Sequence, residues 1–330
     1  MLNNKKVVKI LTIDGGGIRG IIPSSILNTI SKEINEKPLY KCFDLISGTS
    51  TGSLIAILLT TPTLQNYEQP PIRTILNLYE NEGKKIFDPN WRTIRMFSNI
   101  FRAKYKPDSI REIIKYYIGN NTLQDTLTNL IIPAFDMQSM EPFFFKNRPS
   151  YRNSNKDVNF YLKDVALAAT AAPTYFPPAF IKSINGNNEY CFVDGGLFAN
   201  NPSLCAYIEA RKLFPNADKY IFISLGTGKV KRSYSCKDAR NWGLWGWMSP
   251  FKQIPILSSF MYGQEGSVNY MLNKTPNVRV YRLNPHLDNL SSDIDDSSEE
   301  NIKNLKDISY RYVAENDHII REIANLLARI

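Results

Sequence analysis

Three short stretches hold residue types and spacings that suit acyl transfer. Residues 46–52 read ISGTSTG, which puts Ser50 between Gly48 and Gly52 and ahead of the apolar run SLIAILLTT. A serine on a tight turn between a strand and a helix is the frame of a nucleophile elbow, in which the N–H of the next residue, Thr51, faces the oxyanion. The same residues also suit a plain structural turn. Residues 14–20 read DGGGIRG, with G-x-G-x-x-G at Gly15, Gly17 and Gly20. After a strand and before a helix, that spacing fits dinucleotide binding. The acid that should end a second strand about twenty residues on falls instead inside a helical stripe, at 31–36. The loop equally fits an oxyanion hole. Consecutive glycines at a helix start aim backbone N–H groups into a cleft, and the helix dipole adds positive potential. Arg19 would meet a phosphate there as a planar fork. Residues 193–202 read VDGGLFANNP, with Asp194 ending an apolar strand ahead of Gly195 and Gly196. A carboxylate there projects from the edge where open α/β sheets place their sites, or bonds its own turn.

A nucleophilic serine needs a base, and the chain has only two histidines. In the order serine, acid, histidine, His286 in the polar loop NPHLDN is the one to weigh. His318, beside Asp317, falls in a C-terminal helical pattern. Asp194 offers another route. Within reach of Ser50 Oγ it takes the proton directly, provided a dry pocket raises its pKa. The acids Asp293, Asp295 and Asp296 lack the spacing and the glycine of a calcium loop. Ser297 and Glu300 suit a capping box, so a helix start is expected there and no metal site. Four well-separated cysteines argue against a zinc site or a disulfide framework.

The elements that must position these residues are legible. VVKILTI (7–13) and FDLIS (43–47) read as strands, each followed by a glycine turn and a helix. Strand, turn, helix written twice predicts an α/β fold with a largely parallel sheet. Further strands are expected at 130–135, 142–146, 190–194, 220–226 and 278–283. Helices are expected from Asp108 to Gly119, over 164–172, and from about Ser297 onward as one helix or two. No linker splits the chain, so one domain over 1–330 is expected, with a motif-bearing core at about 7–290 and a helical segment at about 297–330.

DGGGIRG, GTSTG and VDGG, in this order, resemble the patatin-like phospholipase family. IFDP (86–89), AAPTYFPP (171–178), ISLGTG (223–228) and DDSSEEN (295–301) are also similar to segments of its plant members, so the likeness covers about residues 7–315. Ser47 and the DGG of 194–196 depart from the plant pattern, which has glycine and DGA there, without touching a reacting group. The resemblance implies a three-layer α/β/α fold and lipid acyl hydrolysis by a Ser50–Asp194 dyad. It implies an oxyanion hole from Gly15, Gly16, Gly17 and Thr51, and no cofactor. Arg19 stands where the family has Arg or Lys.

The net charge of +9 admits contact with nucleic acid or an anionic membrane. NWGLWGWMSPF (241–251), behind the basic stretch KVKRSYSCKDAR, adds Trp242, Trp245 and Trp247. Aromatic rings beside cations suit a lipid interface, and RMFSNIFRAKYK (95–106) is a second such segment. The expected partner is therefore lipid at a membrane surface and not nucleic acid, with an activating partner left open. The N-terminus lacks the apolar stretch of a signal peptide and no run is long enough to span a bilayer, so a cytoplasmic or peripheral membrane protein is expected. A non-catalytic storage or binding protein on the same fold is the alternative, as is a nucleotide-binding protein using the glycine loop.

Overall fold

The computed structural model describes residues 6–87, 103–147, 159–184, 186, 188–230, 234–249, 255–287 and 293–328. Most of the basic–aromatic segment 95–106, Asp88 and Pro89 of IFDP, and parts of 229–251 lie outside them. Among the described residues eight strands form one sheet. They are β1 (Val7–Ile13), β2 (Leu45–Gly48), β3 (Asn129–Asp136), β4 (Glu141–Lys146), β5 (Ala179–Lys182), β6 (Glu189–Asp194), β7 (Lys219–Leu225) and β8 (Val278–Leu283). The order is β5-β6-β3-β2-β1-β7-β8, with β4 also on β3. The stretch from β3 through β8 is parallel, and β4, β5 and β6 are antiparallel additions.

The strands are apolar on both faces. In β1, Val8 and Ile10 face one core and Leu11 and Ile13 the other; β7 divides Tyr220 and Phe222 from Ile221, Ile223 and Leu225 in the same way. A sheet buried on both sides needs helices on both. The longer helices are α1 (Ile21–Glu33), α2 (Thr51–Thr60), α3 (Pro71–Ile86), α4 (Asp108–Ile118), α5 (Leu162–Ala169), α6 (Ser203–Leu213), α7 (Pro255–Lys274), α8 (Glu299–Glu315) and α9 (Asp317–Ala328). The larger core gathers α1 to α5, α8 and α9, while α6 covers the other face through Ala206 and Ala210. Gly119, at φ 65°, ends α4 as its sequence implied.

Three helices and a strand fall outside the expected elements: α3, α6, α7 and β5. The signal for α3 is present, since Ile72, Ile75, Leu76, Tyr79, Gly83 and Ile86 are buried at helical spacing. By contrast, α7 mixes two glycines with apolar residues that stay exposed, so no apolar stripe separates from a polar one. The C-terminal segment is two helices, broken at Asn316. Its cap is Ser298, whose side chain accepts from the Asn301 N–H at 3.3 Å, in place of the expected Ser297–Glu300 box. The Ser297 hydroxyl instead donates to the Phe87 carbonyl at 2.5 Å.

One feature of the sheet brings the chemistry together. β4 pairs along β3 from Ile131 to Asp136, so β2 and β6 must share the opposite side of β3. β2 pairs parallel with Asn129–Ile131 and β6 antiparallel with Ala134–Asp136. Their C-terminal ends therefore run toward each other along β3. Ser50, two residues beyond β2, and Asp194, the last residue of β6, meet in the gap.

Candidate active site

Ser50 is the N-cap of α2 and has φ 52° and ψ −122°, a backbone conformation that L-residues rarely adopt. Strain of this kind costs about 1–3 kcal/mol. It is outweighed by α2 itself: Leu54, Ile55, Ile57, Leu58 and Leu59 are all buried, at about 1.5–3 kcal/mol each. The two flanking glycines let the turn close. A Cβ on Gly48 would collide with the Gly52 carbonyl, and one on Gly52 with the Ile13 carbonyl at the end of β1. The Thr49 hydroxyl donates to the Ala199 carbonyl at 2.6 Å, tying the elbow to the segment after Asp194.

Asp194 is 3% exposed. The Gly196 N–H donates to its Oδ1 at 2.8 Å, and Ser50 stands beside the carboxylate in the same cavity. Burial pushes the carboxyl up to about 6, against the opposing pull of the nearby Ser50 hydroxyl and the Gly196 N–H. A carboxylate poised there accepts a proton far more readily than an exposed aspartate and is still ionised near neutrality.

The glycine loop lies across from Ser50. Its carbonyls are pinned from behind: the Thr227 hydroxyl donates to the Gly15 carbonyl at 2.7 Å, and Arg19 donates to the Gly16 carbonyl from its backbone N at 3.2 Å and from Nε at 3.4 Å. In a planar trans peptide the N–H points opposite to the carbonyl. Holding those two carbonyls away from the site therefore turns the N–H groups of Gly16 and Gly17 toward it. Neither N–H, nor that of Thr51, has an acceptor among the described residues, and all three residues line the cavity that Ser50 and Asp194 share. Gly17 reaches this geometry at φ 58°, against the Ile294 carbonyl.

Two expectations need correction. The Gly15 N–H donates to the Asn200 carbonyl at 3.1 Å, which removes it from the expected donor set. Arg19 is 7% exposed, braces Gly16, and is not among the residues lining the cavity, so it makes no phosphate fork there. The remaining motif glycines serve packing. Gly20 lies against Thr51 and the Tyr79 ring, and Gly195 against the Pro133 backbone. The dinucleotide reading also loses its second half, because α1 runs through to Glu33 and no strand ends near residues 31–36.

The cavity has a volume of about 360 Å³, in the range of ligand pockets, ~300–1,000 Å³. Beyond the polar corner its wall is apolar, with Leu54, Ile86, Phe87, Phe176, Met261 and Ile294 among the lining residues. His286 and His318 are exposed and neither lines it. Asp295, one of the acids weighed as a calcium ligand, is buried and paired with Lys104 and with the Tyr105 hydroxyl at 2.6 Å. Among the described residues no group of three or more metal-ligating side chains is assembled.

The family model for patatin-like phospholipases matches residues 11–206. The chain belongs to the patatin-like phospholipase family. Patatin-like protein 2 of Arabidopsis thaliana is 33% identical over 293 residues, covering 81% of this chain and 72% of that protein. Patatin-like protein 2 of Oryza sativa subsp. indica is 30% identical over 348 residues, covering 94% and 85%. Probable inactive patatin-3-Kuras 1 of Solanum tuberosum is 28% identical over 347 residues, covering 97% and 91%. The matched span contains DGGGIRG, GTSTG and VDGG, the three stretches that meet at the cavity.

Several residues of the site were not singled out from sequence. Tyr79 donates to the Thr51 carbonyl at 3.0 Å and meets the Thr51 hydroxyl at 2.5 Å, fixing the start of α2. Thr227 and Asn200 hold the glycine loop. Thr227 lies inside ISLGTG, a block conspicuous for its similarity to the family, and that was its one sequence signal.

At the open end of the cavity stand Leu197, Met248, Ile256 and Phe260, all lining it and all exposed. The helical turn Leu244–Trp247 continues this rim, with Leu244 78% and Trp245 88% exposed. The three tryptophans differ. Trp242 packs edge-on against Tyr234 and Trp247, Trp247 is partly covered, and Trp245 projects freely. Among the described residues no helix is long and apolar enough to cross a membrane.

Proposed function

We propose that the protein is a serine acyl hydrolase of phospholipids or related lipids, working at a membrane surface through a Ser50–Asp194 dyad. The observation that carries this reading is that Ser50, on a strained elbow, and the buried Asp194 carboxylate, poised at about 6, share the polar end of one apolar cavity.

Asp194 takes the Ser50 proton as Oγ attacks the ester carbonyl. The tetrahedral oxyanion accepts from the N–H groups of Gly16, Gly17 and Thr51, and the α2 dipole adds to their field. Collapse transfers the acyl chain to Ser50 and returns the proton from Asp194 to the departing alcohol. Water, deprotonated by Asp194, then releases the fatty acid. The apolar wall suits the acyl chain. The exposed rim, with Lys237 and Arg240 also exposed nearby, suits a lipid surface that is apolar within and anionic outside.

The name of one relative marks it as a probable inactive patatin, so family membership alone does not establish turnover. Both members of the dyad are present here, which favours an active enzyme. Fatty-acid release from phosphatidylcholine vesicles tests this. Release by the wild type that disappears in Ser50→Ala is the expected result. A wild type that releases no fatty acid from phospholipid or any simpler ester would overturn the reading.

A further inference from the structure

A buried charge cluster lies beneath the glycine loop, and the proposed mechanism makes no use of it. Asp14, the residue before Gly15, is 3% exposed. Its carboxylate receives the Arg282 guanidinium as a fork, one arm at 3.0 Å and the other shorter. The same guanidinium reaches the Ser224 hydroxyl at 3.0 Å and Glu265 Oε1 at 2.9 Å. Glu265 belongs to α7, the helix whose Ile256, Phe260 and Met261 line the cavity mouth.

Its neighbour Gln264 makes a second tie from α7 to the loop. The Gln264 side chain accepts the Asn200 N–H at 3.0 Å and donates to the Leu197 carbonyl at 2.8 Å. The Asn200 carbonyl in turn accepts the Gly15 N–H at 3.1 Å. Two consecutive residues of α7 thus hold the loop at adjacent positions, Asp14 through Arg282 and Gly15 through Asn200.

Such a cluster adds little net stability. Desolvation offsets most of the attraction in a buried ion network, and here the Arg282 Nε–H is also left without a partner among the described residues. What the cluster does supply is a fixed geometry one residue ahead of the donor peptides. We propose that Arg282, Glu265 and Gln264 are positioning residues for the oxyanion donors, coupling the helix at the cavity mouth to the alignment of the Gly16 and Gly17 N–H groups. The inference rests on the hydrolase reading of Ser50.

Steady-state kinetics of the full chain on a soluble short-chain ester and on its thionoester test it. Sulfur is a poor hydrogen-bond acceptor, so the thionoester gains little from the N–H donors and the ester-to-thionoester rate ratio reports their alignment. Arg282→Lys keeps the charge but loses the planar fork. It is expected to lower kcat on the ester about 10- to 100-fold, with KM changed less than about threefold and the rate ratio falling by the same factor as kcat. Glu265→Gln and Gln264→Ala should act in the same direction by about three- to tenfold. If Arg282→Lys does not fold, the two α7 variants decide. Variants that keep the wild-type rate ratio overturn the inference, even where both substrates slow equally, since that marks a purely structural role. A wild type that turns over neither substrate overturns the hydrolase reading and this inference with it, whereas an active wild type with unaltered ratios in the variants overturns the inference alone.

Discussion

Behind Ser50, from Asp14 to Gly17, the loop is held by Arg19 from its own motif and by donors and acceptors from distant parts of the chain: Thr227, Asn200 and Arg282. In front of it, Leu244, Trp245, Met248, Ile256 and Phe260 expose large apolar side chains to water. In the proposed mechanism the order of the first region lets developing charge meet dipoles already in place. The second keeps apolar surface exposed in a folded protein, a cost that makes sense where another apolar phase will cover it. Substitutions behind Ser50 should therefore act on the chemical step for every ester. Those in front should act only on lipid presented as a surface.

The largest expected effect lies behind. Asp194→Asn keeps the shape of the side chain but removes the proposed base, and kcat should fall by about a thousandfold or more on both soluble and vesicle substrates. Next, Thr227→Val is nearly isosteric and removes the hydroxyl that holds the Gly15 carbonyl. A kcat loss of about 10- to 100-fold is expected, with KM little changed; an unchanged kcat would break the claim that the carbonyl pins aim the donors. In front, Trp245→Ser should lower hydrolysis of anionic vesicles about five- to tenfold and alter soluble-ester hydrolysis less than twofold. Equal losses on both substrates would erase the distinction between the regions.

A further effect is on stability. The folded pKa of Asp194, about 6, lies above the ordinary value of 3.8, so the folded protein binds this proton more tightly than the unfolded chain does. Stability from this group therefore falls as pH rises from about 4 to about 6, and the cost is complete above that window. Two pKa units set an upper bound of about 3 kcal/mol. Asp194→Asn should thus melt several degrees above the wild type at pH 8, with the gap narrowing toward pH 4 to 5. The smallest expected effect is that of His286→Ala, which should change kcat less than twofold; a loss beyond tenfold would restore a histidine base.

The sequence carried the front half of this picture unevenly. Short apolar runs and the turn residues that end them are local patterns, so β1, β2, β3, β4, β6, β7 and β8 were legible. Ser50 and Asp194 were legible because motif and order agree, although the register that brings β2 and β6 end to end along β3 is a tertiary fact. The carbonyl pins were not legible. A threonine in ISLGTG or an asparagine in LFANN has no local signature of the bond it makes. Arg282 carried a weak signal, as a charge following Val278 and Val280 on one strand face. Arg19 misled, because a guanidinium beside a glycine loop fits a bound anion and a backbone carbonyl equally well until burial is known.

The dyad itself is tested most directly by the rate at which a fluorophosphonate labels Ser50 as a function of pH. In the wild type that rate should rise through a single ionisation near pH 6. It should persist in His286→Ala, collapse in Asp194→Asn, and be absent in Ser50→Ala. A rate that is flat across pH 5 to 7, or that survives in Asp194→Asn, would contradict a serine activated by this carboxylate.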